Sequence, residues 1–408
     1  MDYRKLTFYN TLGNLVYLFA QWLFTVLVVR ISGIESAGIM SLAISAGNIF
    51  FFIQCYGMRS FQVSDVKGEY SAKRYVLSRY STIIIGLVLC ILYCLICGYS
   101  IDKAGAILAF LLYRTFEAMS DVYFSELQKI GRLEILAKSM SLKGILSVGV
   151  FSIVLYFTDN LTLALIAISV LAMLITVIYD RRKFCELITS EKIGFKLNDS
   201  FKLLKVCFVL MVSVLLPVII TSIPRIMLEQ YHGTELLGHY GNVSAPPTLI
   251  IAVIPSILTP LMTLYGNWIK EKETKKLIFA FLMSLVGTVI FGLVCMLGVF
   301  LLGEPVMALI FTDEIIPYVH YLYPLIVVLT IYSMTFCANS LLICLRYKND
   351  VFIYSIIASL LCVVISPYLI KNYDIWGVIF SMGISYFAEL VGLCISVAFR
   401  YKKYAKSV

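Results

Sequence analysis

Residues 8–58 read FYNTLGNLVYLFAQWLFTVLVVRISGIESAGIMSLAISAGNIFFFIQCYGM and hold two charged side chains, Arg30 and Glu35. Both fall in the short break between two apolar runs, 8–29 and 38–58. About 20 apolar residues in a helix cross a bilayer core, so the stretch predicts a transmembrane hairpin with GIESAG at its turn.

The same pattern repeats along the chain. Further runs lie near 80–98, 104–125, 144–158, 161–179, 206–228, 239–265, 277–301, 318–345, 351–370 and 377–399, the fifth being short and completed by Ser139 to Lys143. Hydrophobic residues make up 61% of the 408 and charged ones 14%, which a water-soluble chain of this length cannot bury. The reading is an all-α integral membrane protein of about twelve transmembrane helices. Of the 33 Lys and Arg, 28 sit in alternate gaps between the runs and at the two termini, and the opposite gaps hold only Arg30, Lys103 and Lys371. The positive-inside rule makes the rich side cytoplasmic and puts both termini there. The net charge of +9 then reports topology and some attraction to anionic membrane lipid, and gives no reason to expect nucleic acid. No small-residue cleavage pattern follows Arg4 and Lys5, so the first run is expected to stay as a helix.

The longest rich gap, 180–205, divides six runs from six and is expected to link an N-terminal lobe, 1–179, to a C-terminal lobe, 206–408. GIESAG at 33–38 and GTELLG at 233–238 share G-x-E-x-x-G at the same topological place. With six spans each, both lobes enter from the same side, so the two form parallel repeats related by a pseudo-two-fold axis along the membrane normal. A cleft between such lobes, opening alternately to either side, describes a transporter. The largest external gap, 302–317, reads as an amphipathic surface helix and leaves no room for a catalytic domain. Cys90, Cys94 and Cys97 lie inside an apolar run without a His or acidic partner, which favours packing over metal or redox chemistry, and the three histidines form no metal motif. No cofactor is expected.

Seven stretches in order carry a family likeness: RISGIESAG (30–38), GMRSFQVSD (57–65), YFSELQKIGRLEILAKS (123–139), GTELLGHYGNVSAP (233–246), GEPVMALIFTDE (303–314), NSLLICLRYKND (339–350) and DIWGVIFSMGISYFAEL (374–390). Together they resemble the Wzx-type polysaccharide flippases of the multidrug/oligosaccharidyl-lipid/polysaccharide exporter superfamily. The resemblance implies a non-enzymatic translocase in the bacterial cytoplasmic (inner) membrane. Its cargo would be an undecaprenyl-pyrophosphate-linked oligosaccharide repeat unit, moved to the outer leaflet for O-antigen, capsule or exopolysaccharide assembly. A polysaccharide polymerase and other assembly proteins are the implied partners. One departure is Pro224, which stands before Arg225 where family members often carry an acid.

Such cargo needs polar groups for sugars and cations for phosphates. Asn10, Asn14, Tyr17, Gln21 and Thr25 recur at steps of three or four and form one polar stripe on the first helix. Ser41, Ser45 and Asn48 do so on the second, and Tyr332, Thr335 and Asn339 on the tenth. Sugar contact and ordinary polar helix packing are both open for these stripes. Arg225, Arg30, Arg59 and Arg114 are the candidate phosphate contacts, because the guanidinium fork matches phosphate oxygens; interfacial anchoring is the alternative for the first three. Pro217 and Pro224 predict a bend beside Arg225, and Pro246, Pro247, Pro255 and Pro260 a flexible eighth helix. Intramembrane charge costs ~2.5–3.5 kcal/mol and marks function by default. Arg114, Glu117 and Asp121 share one face of the fourth helix and are expected to act as one site, with Glu117, Asp121 and Glu389 as candidate coupling-ion carriers. A self-compensated ion pair is the bland alternative. A cation-coupled multidrug exporter and, more distantly, a membrane enzyme of polysaccharide assembly are the competing functions.

Overall fold

Gly33 breaks the first helix at the predicted turn. In the computed structural model, which describes residues 3–65, 68–188 and 197–407, α1 (Tyr3–Cys55) leaves helical geometry only there, at φ 81° and ψ −176°. That conformation is open to glycine and strained for any side chain. Gly233 adopts nearly the same one, φ 87° and ψ 174°, between α8 (Leu197–His232) and α9 (Thr234–Lys270). The two G-x-E-x-x-G motifs therefore share a backbone as well as a spelling.

The remaining elements run in order. They are α2 (Met58–Ser64), α3 (Ala72–Cys97), α4 (Ile101–Lys129), α5 (Leu133–Thr158) and α6 (Leu161–Ile175), which continues as a π-helical stretch (Thr176–Arg181) into α7 (Arg182–Leu187). After α8 and α9 come α10 (Thr274–Ile310), a 3-10 stretch (Asp313–Tyr321), α11 (Leu322–Cys344) and α12 (Lys348–Ser407), the last broken at Asp374. Eight helical stretches among the described residues are long and apolar enough to span a membrane. Two of them, Thr11–Ser64 and Lys348–Lys402, have 54 and 55 residues. At 1.5 Å per residue each is roughly 80 Å long, enough to cross a ~30 Å core twice, and each divides at its break. α4, with 29 residues, is long enough to cross once but carries Arg114, Glu117 and Asp121 in its middle. Exposed side chains along α10, such as Leu282, Val286, Val289 and Leu293, are apolar, as lipid solvation requires. The chain is a multi-pass helical membrane protein.

The contacts gather into two compact units, Met1–Val218 and Ile219–Val408, with the border inside α8. In the first unit, the leading half of α1 lies so close to α5 that a Cβ on Gly13 would sit 2.7 Å from the Ala137 Cα. Phe24, Tyr113 and Phe151 fill the space between α1, α4 and α5. A second cluster ties Met58, Tyr75, Val122 and Tyr123 to Leu203 and Cys207 of α8. In the second unit, Tyr265, Phe281, Leu341 and Leu393 join α9, α10, α11 and α12. At the end of that core, Arg400 grips Asp350 with two bonds of 2.8 and 2.9 Å.

Three expectations change. α5 is a full helix of 26 residues, because Leu133, Ile135 and Leu136 bury in the first turn that hydropathy assigned to a loop. The segment 302–317 is no separate surface helix: α10 runs through Pro305 to Ile310, held by buried Gly303 and Met307, and a 3-10 stretch follows. α8 and α9 stay helical across their prolines, so no break accompanies Pro217 or Pro224. Within the predicted link 180–205, α7 runs to Leu187 and α8 starts at Leu197; residues 189–196 lie outside the described ones.

Candidate functional site

α4 carries most of the buried polar chemistry of the first unit. Ser100 caps its start, with Asp102 in the first turn and Lys129 in the last, the arrangement the helix dipole favours. It ends at Gly131, in the left-handed region at φ 74°, where Gly131 N–H donates to Gln128 O at 3.0 Å and Arg132 N–H to Leu127 O at 2.9 Å. Between these ends α4 touches α1, α2, α3, α5 and α6.

The expected trio of Arg114, Glu117 and Asp121 separates into two groups. Arg114 pairs with Glu117 one turn on, and its guanidinium lies 3.7 Å from the Phe51 ring centroid. Gln21 joins this pair: its Nε2 donates to Tyr17 Oη at 2.6 Å, to Tyr113 Oη at 3.0 Å and more distantly to Glu117 Oε1 at 3.4 Å. Two members of the polar stripe on the first helix thus meet the charged face of the fourth.

Asp121 turns away to two other arginines. Arg59 Nη1 donates to its Oδ1 at 2.8 Å and Arg79 Nη2 to its Oδ2 at 3.1 Å. Arg79 is fully buried and also donates to Gln54 O at 2.6 Å, a carbonyl in the last turn of α1 that Thr82 shares at 2.7 Å. Such terminal carbonyls have no partner within their own helix, so Arg79 satisfies a helix end and a carboxylate together. Arg59 is 42% exposed, and its Nη2 donates to Gln128 Oε1 at 3.0 Å. Two guanidinium groups against one carboxylate leave an excess of one positive charge at an accessible place.

Sequence reading missed a third group. Lys143 of α5 donates to Asp180 Oδ2 at 2.8 Å and to Thr176 Oγ1 at 3.1 Å, both in the π-helical stretch, and to Ser120 Oγ of α4. Lys143 is 3% exposed and Asp180 fully buried. Hydropathy places both at the edges of runs, Lys143 at the start of the fifth and Asp180 just past the sixth, so neither stood out as an intramembrane charge. Arg79 and Gln62 fell in the predicted gap, and Gln54 lay in the second run outside the stripe that was singled out; Gln62 Nε2 donates to Glu126 Oε1 at 2.9 Å.

The other predicted residues are more scattered. Asn14 and Asn48 are half-buried, Arg30 is exposed, and the side chain of Asn10 lies outside the described ones. Thr25 bonds back to Trp22 O and Ser45 to Ser41 O, which is local helix bonding. In the second unit, Arg225 donates to Ser244 Oγ at 3.2 Å and lies 5.4 Å from the Tyr240 ring centroid. Glu389 accepts from Ser355 at 2.6 Å, with no cation at ion-pair distance among the described residues. Asn339 is half-buried, and its Oδ1 is buried without a hydrogen bond. Among the described residues no group of His, Cys, Asp and Glu could hold a metal ion.

The fold is that of known polytopic helical membrane proteins. An inward-facing multidrug resistance MATE family transporter of the MOP superfamily superposes with a TM-score of 0.74 at 15% identity, over 97% of this chain and 96% of that one. The lipid II flippase MurJ, inward closed, gives 0.72 at 16% identity, over 99% and 89%. The capsular polysaccharide biosynthesis protein CapF of Staphylococcus aureus is 27% identical over 404 residues, 94% of this chain and 96% of CapF. The chain belongs to the family described as polysaccharide biosynthesis protein, which matches residues 4–265.

Proposed function

We propose that the protein flips undecaprenyl-pyrophosphate-linked oligosaccharide repeat units from the cytoplasmic to the outer leaflet of the bacterial cytoplasmic membrane by alternating access, supplying surface polysaccharide assembly. The observation that carries this is the pair of groups on α4: a hydroxyl- and amide-rich cluster of Tyr17, Gln21 and Tyr113 suited to sugars, and an accessible excess of positive charge at Arg59 suited to pyrophosphate. Family membership and the likeness to a capsular polysaccharide biosynthesis protein support the same reading. In this reading both termini are cytoplasmic, the two G-x-E-x-x-G motifs open two repeated lobes, and Arg225 and Arg114 are further cargo contacts. The protein makes and breaks no covalent bond and needs no cofactor. A polymerase takes up the cargo on the outer side.

Deleting the protein is expected to trap lipid-linked oligosaccharide in the cytoplasmic leaflet and to stop display of surface polysaccharide. The MATE-like fold makes a drug exporter the second reading. Unchanged surface polysaccharide together with raised sensitivity to cationic drugs would decide for it.

The coupling role falls to Glu389. Glu117 and Asp121 are each matched by internal arginines, whereas Glu389 meets a hydroxyl and lies beside Tyr332 and Tyr386. Glu389→Gln is expected to leave the protein folded and to remove the dependence of transport on the membrane ion gradient. A gradient-driven rate equal to that of the parent in this variant would refute the assignment.

A further inference from the structure

The Lys143 group has no part in the proposed cargo path, yet its ammonium is buried and fully bonded. An ammonium has three N–H donors. Here all three are used, on Asp180 Oδ2, Thr176 Oγ1 and Ser120 Oγ. The oxygens come from α4 and from the π-helical stretch, while the lysine stem enters from α5 past the Phe124 ring at 5.7 Å. Ser120 Oγ also donates to Asp180 Oδ2 at 2.6 Å and lies 3.0 Å from Thr176 Oγ1, so the oxygens hold one another in place. The other carboxylate oxygen, Asp180 Oδ1, is buried and makes no hydrogen bond among the described residues. π-Helical turns are rare and concentrate at functional sites, because they place side chains where a regular helix cannot.

One carboxylate and two hydroxyls converging on a monovalent cation inside a membrane helix bundle are the kind of oxygen donors that hold Na⁺ or K⁺, with water able to complete the shell. An ammonium group is close to K⁺ in size and equal to it in charge. We propose that Lys143 is a tethered cation that fills a monovalent-cation site formed by Asp180, Ser120 and Thr176. The site is neutral without any exchangeable ion, so the first unit keeps its three-helix junction of α4, α5 and α6 closed whatever the salt outside. Removing the tether frees the cage for K⁺ or Na⁺.

Thermal unfolding of the purified full-length protein in detergent tests this, with KCl, NaCl or N-methyl-D-glucamine chloride titrated at constant ionic strength. The parent is expected to unfold at one temperature in all three. Lys143→Ala is expected to gain a saturable rise of ~2–4 °C in K⁺ or Na⁺ over the organic cation. Lys143→Ala with Asp180→Asn is expected to lose that rise, because the carboxylate is gone. A Lys143→Ala protein indifferent to the cation would overturn the proposal. So would a parent protein stabilised by K⁺ or Na⁺ through Asp180, since the site would then not be filled. Failure of Lys143→Ala to fold in any salt while the double variant folds would show that the cage accepts no outside cation, and counts equally against it. If neither folds, Lys143→Met, which keeps the stem and drops only the ammonium, is read in the same way. The measurement uses no transported lipid, so its outcome is independent of the proposed cargo.

Discussion

Arg79→Leu is expected to destabilise the protein by about 3–5 kcal/mol, the scale for removing one partner of a buried ion pair. Two acceptors lose their donor at once: Asp121 Oδ2, and the Gln54 carbonyl at the end of the first helical stretch. Arg59 stays on Asp121 but is 42% exposed, and Arg59→Ala should cost under ~1 kcal/mol, as accessible pairs do. The check is the unfolding temperature and the monodisperse fraction of each purified variant. Adding Asp121→Asn to Arg79→Leu should recover part of the loss, because Arg79→Leu leaves the carboxylate held only by the half-exposed Arg59, while Thr82 still donates to Gln54 O. Equal unfolding temperatures for Arg79→Leu and the parent would show that the group is solvated rather than structural.

The second large effect concerns Arg114. Arg114→Leu strands Glu117, which is 11% exposed, and a similar loss of about 3–5 kcal/mol is expected. Glu117→Leu in the same chain should restore folding, whereas Asp121→Leu should not, because Asp121 pairs with Arg59 and Arg79. Transport by the refolded Arg114→Leu, Glu117→Leu protein is expected to fall roughly tenfold or more, the loss of one charge-assisted contact to cargo. Parental transport by that protein would reduce the pair to a packing device. Rescue by Asp121→Leu would mean that the pairing differs from the one described.

The helices were legible because lipid imposes a simple rule, a run of apolar residues for each crossing, and Gly33 and Gly233 announced two of the turns in identical motifs. Element ends were harder. Leu133 to Leu136 read as loop, since hydropathy averages over a window and the nearby charges outweigh their neighbours; buried, Lys143 is neutralised by Asp180. The i, i+4 spacing puts Tyr17 and Gln21 on one face of the first helix, but that this face meets Tyr113 of the fourth is seen only in the structure. Spacing could not tell that Asp121 would prefer arginines 62 and 42 residues away to the one two turns back on its own helix. Partners across helices follow from tertiary packing, which a periodicity along one helix does not contain. The prolines of α8 misled for a related reason. A proline near the middle of a long helix need not end it, and α8 continues as helix through both.

The pairing pattern also sets a schedule for synthesis. When α4 leaves the ribosome, the bases for its acids already exist: Arg59 and Arg79 lie upstream, and Arg114 sits on the helix itself. Lys143 has no such provision. Its carboxylate partner is 37 residues downstream, so at ~5–20 residues per second the lysine precedes Asp180 by roughly 2–7 s. During that interval α5 carries an uncompensated charge and has reason to linger at the membrane surface or in the insertion machinery. The arrival of α6 then delivers the carboxylate and lets both helices settle together. The first three spans and α4 can assemble as they emerge, while α5 and α6 enter as one unit.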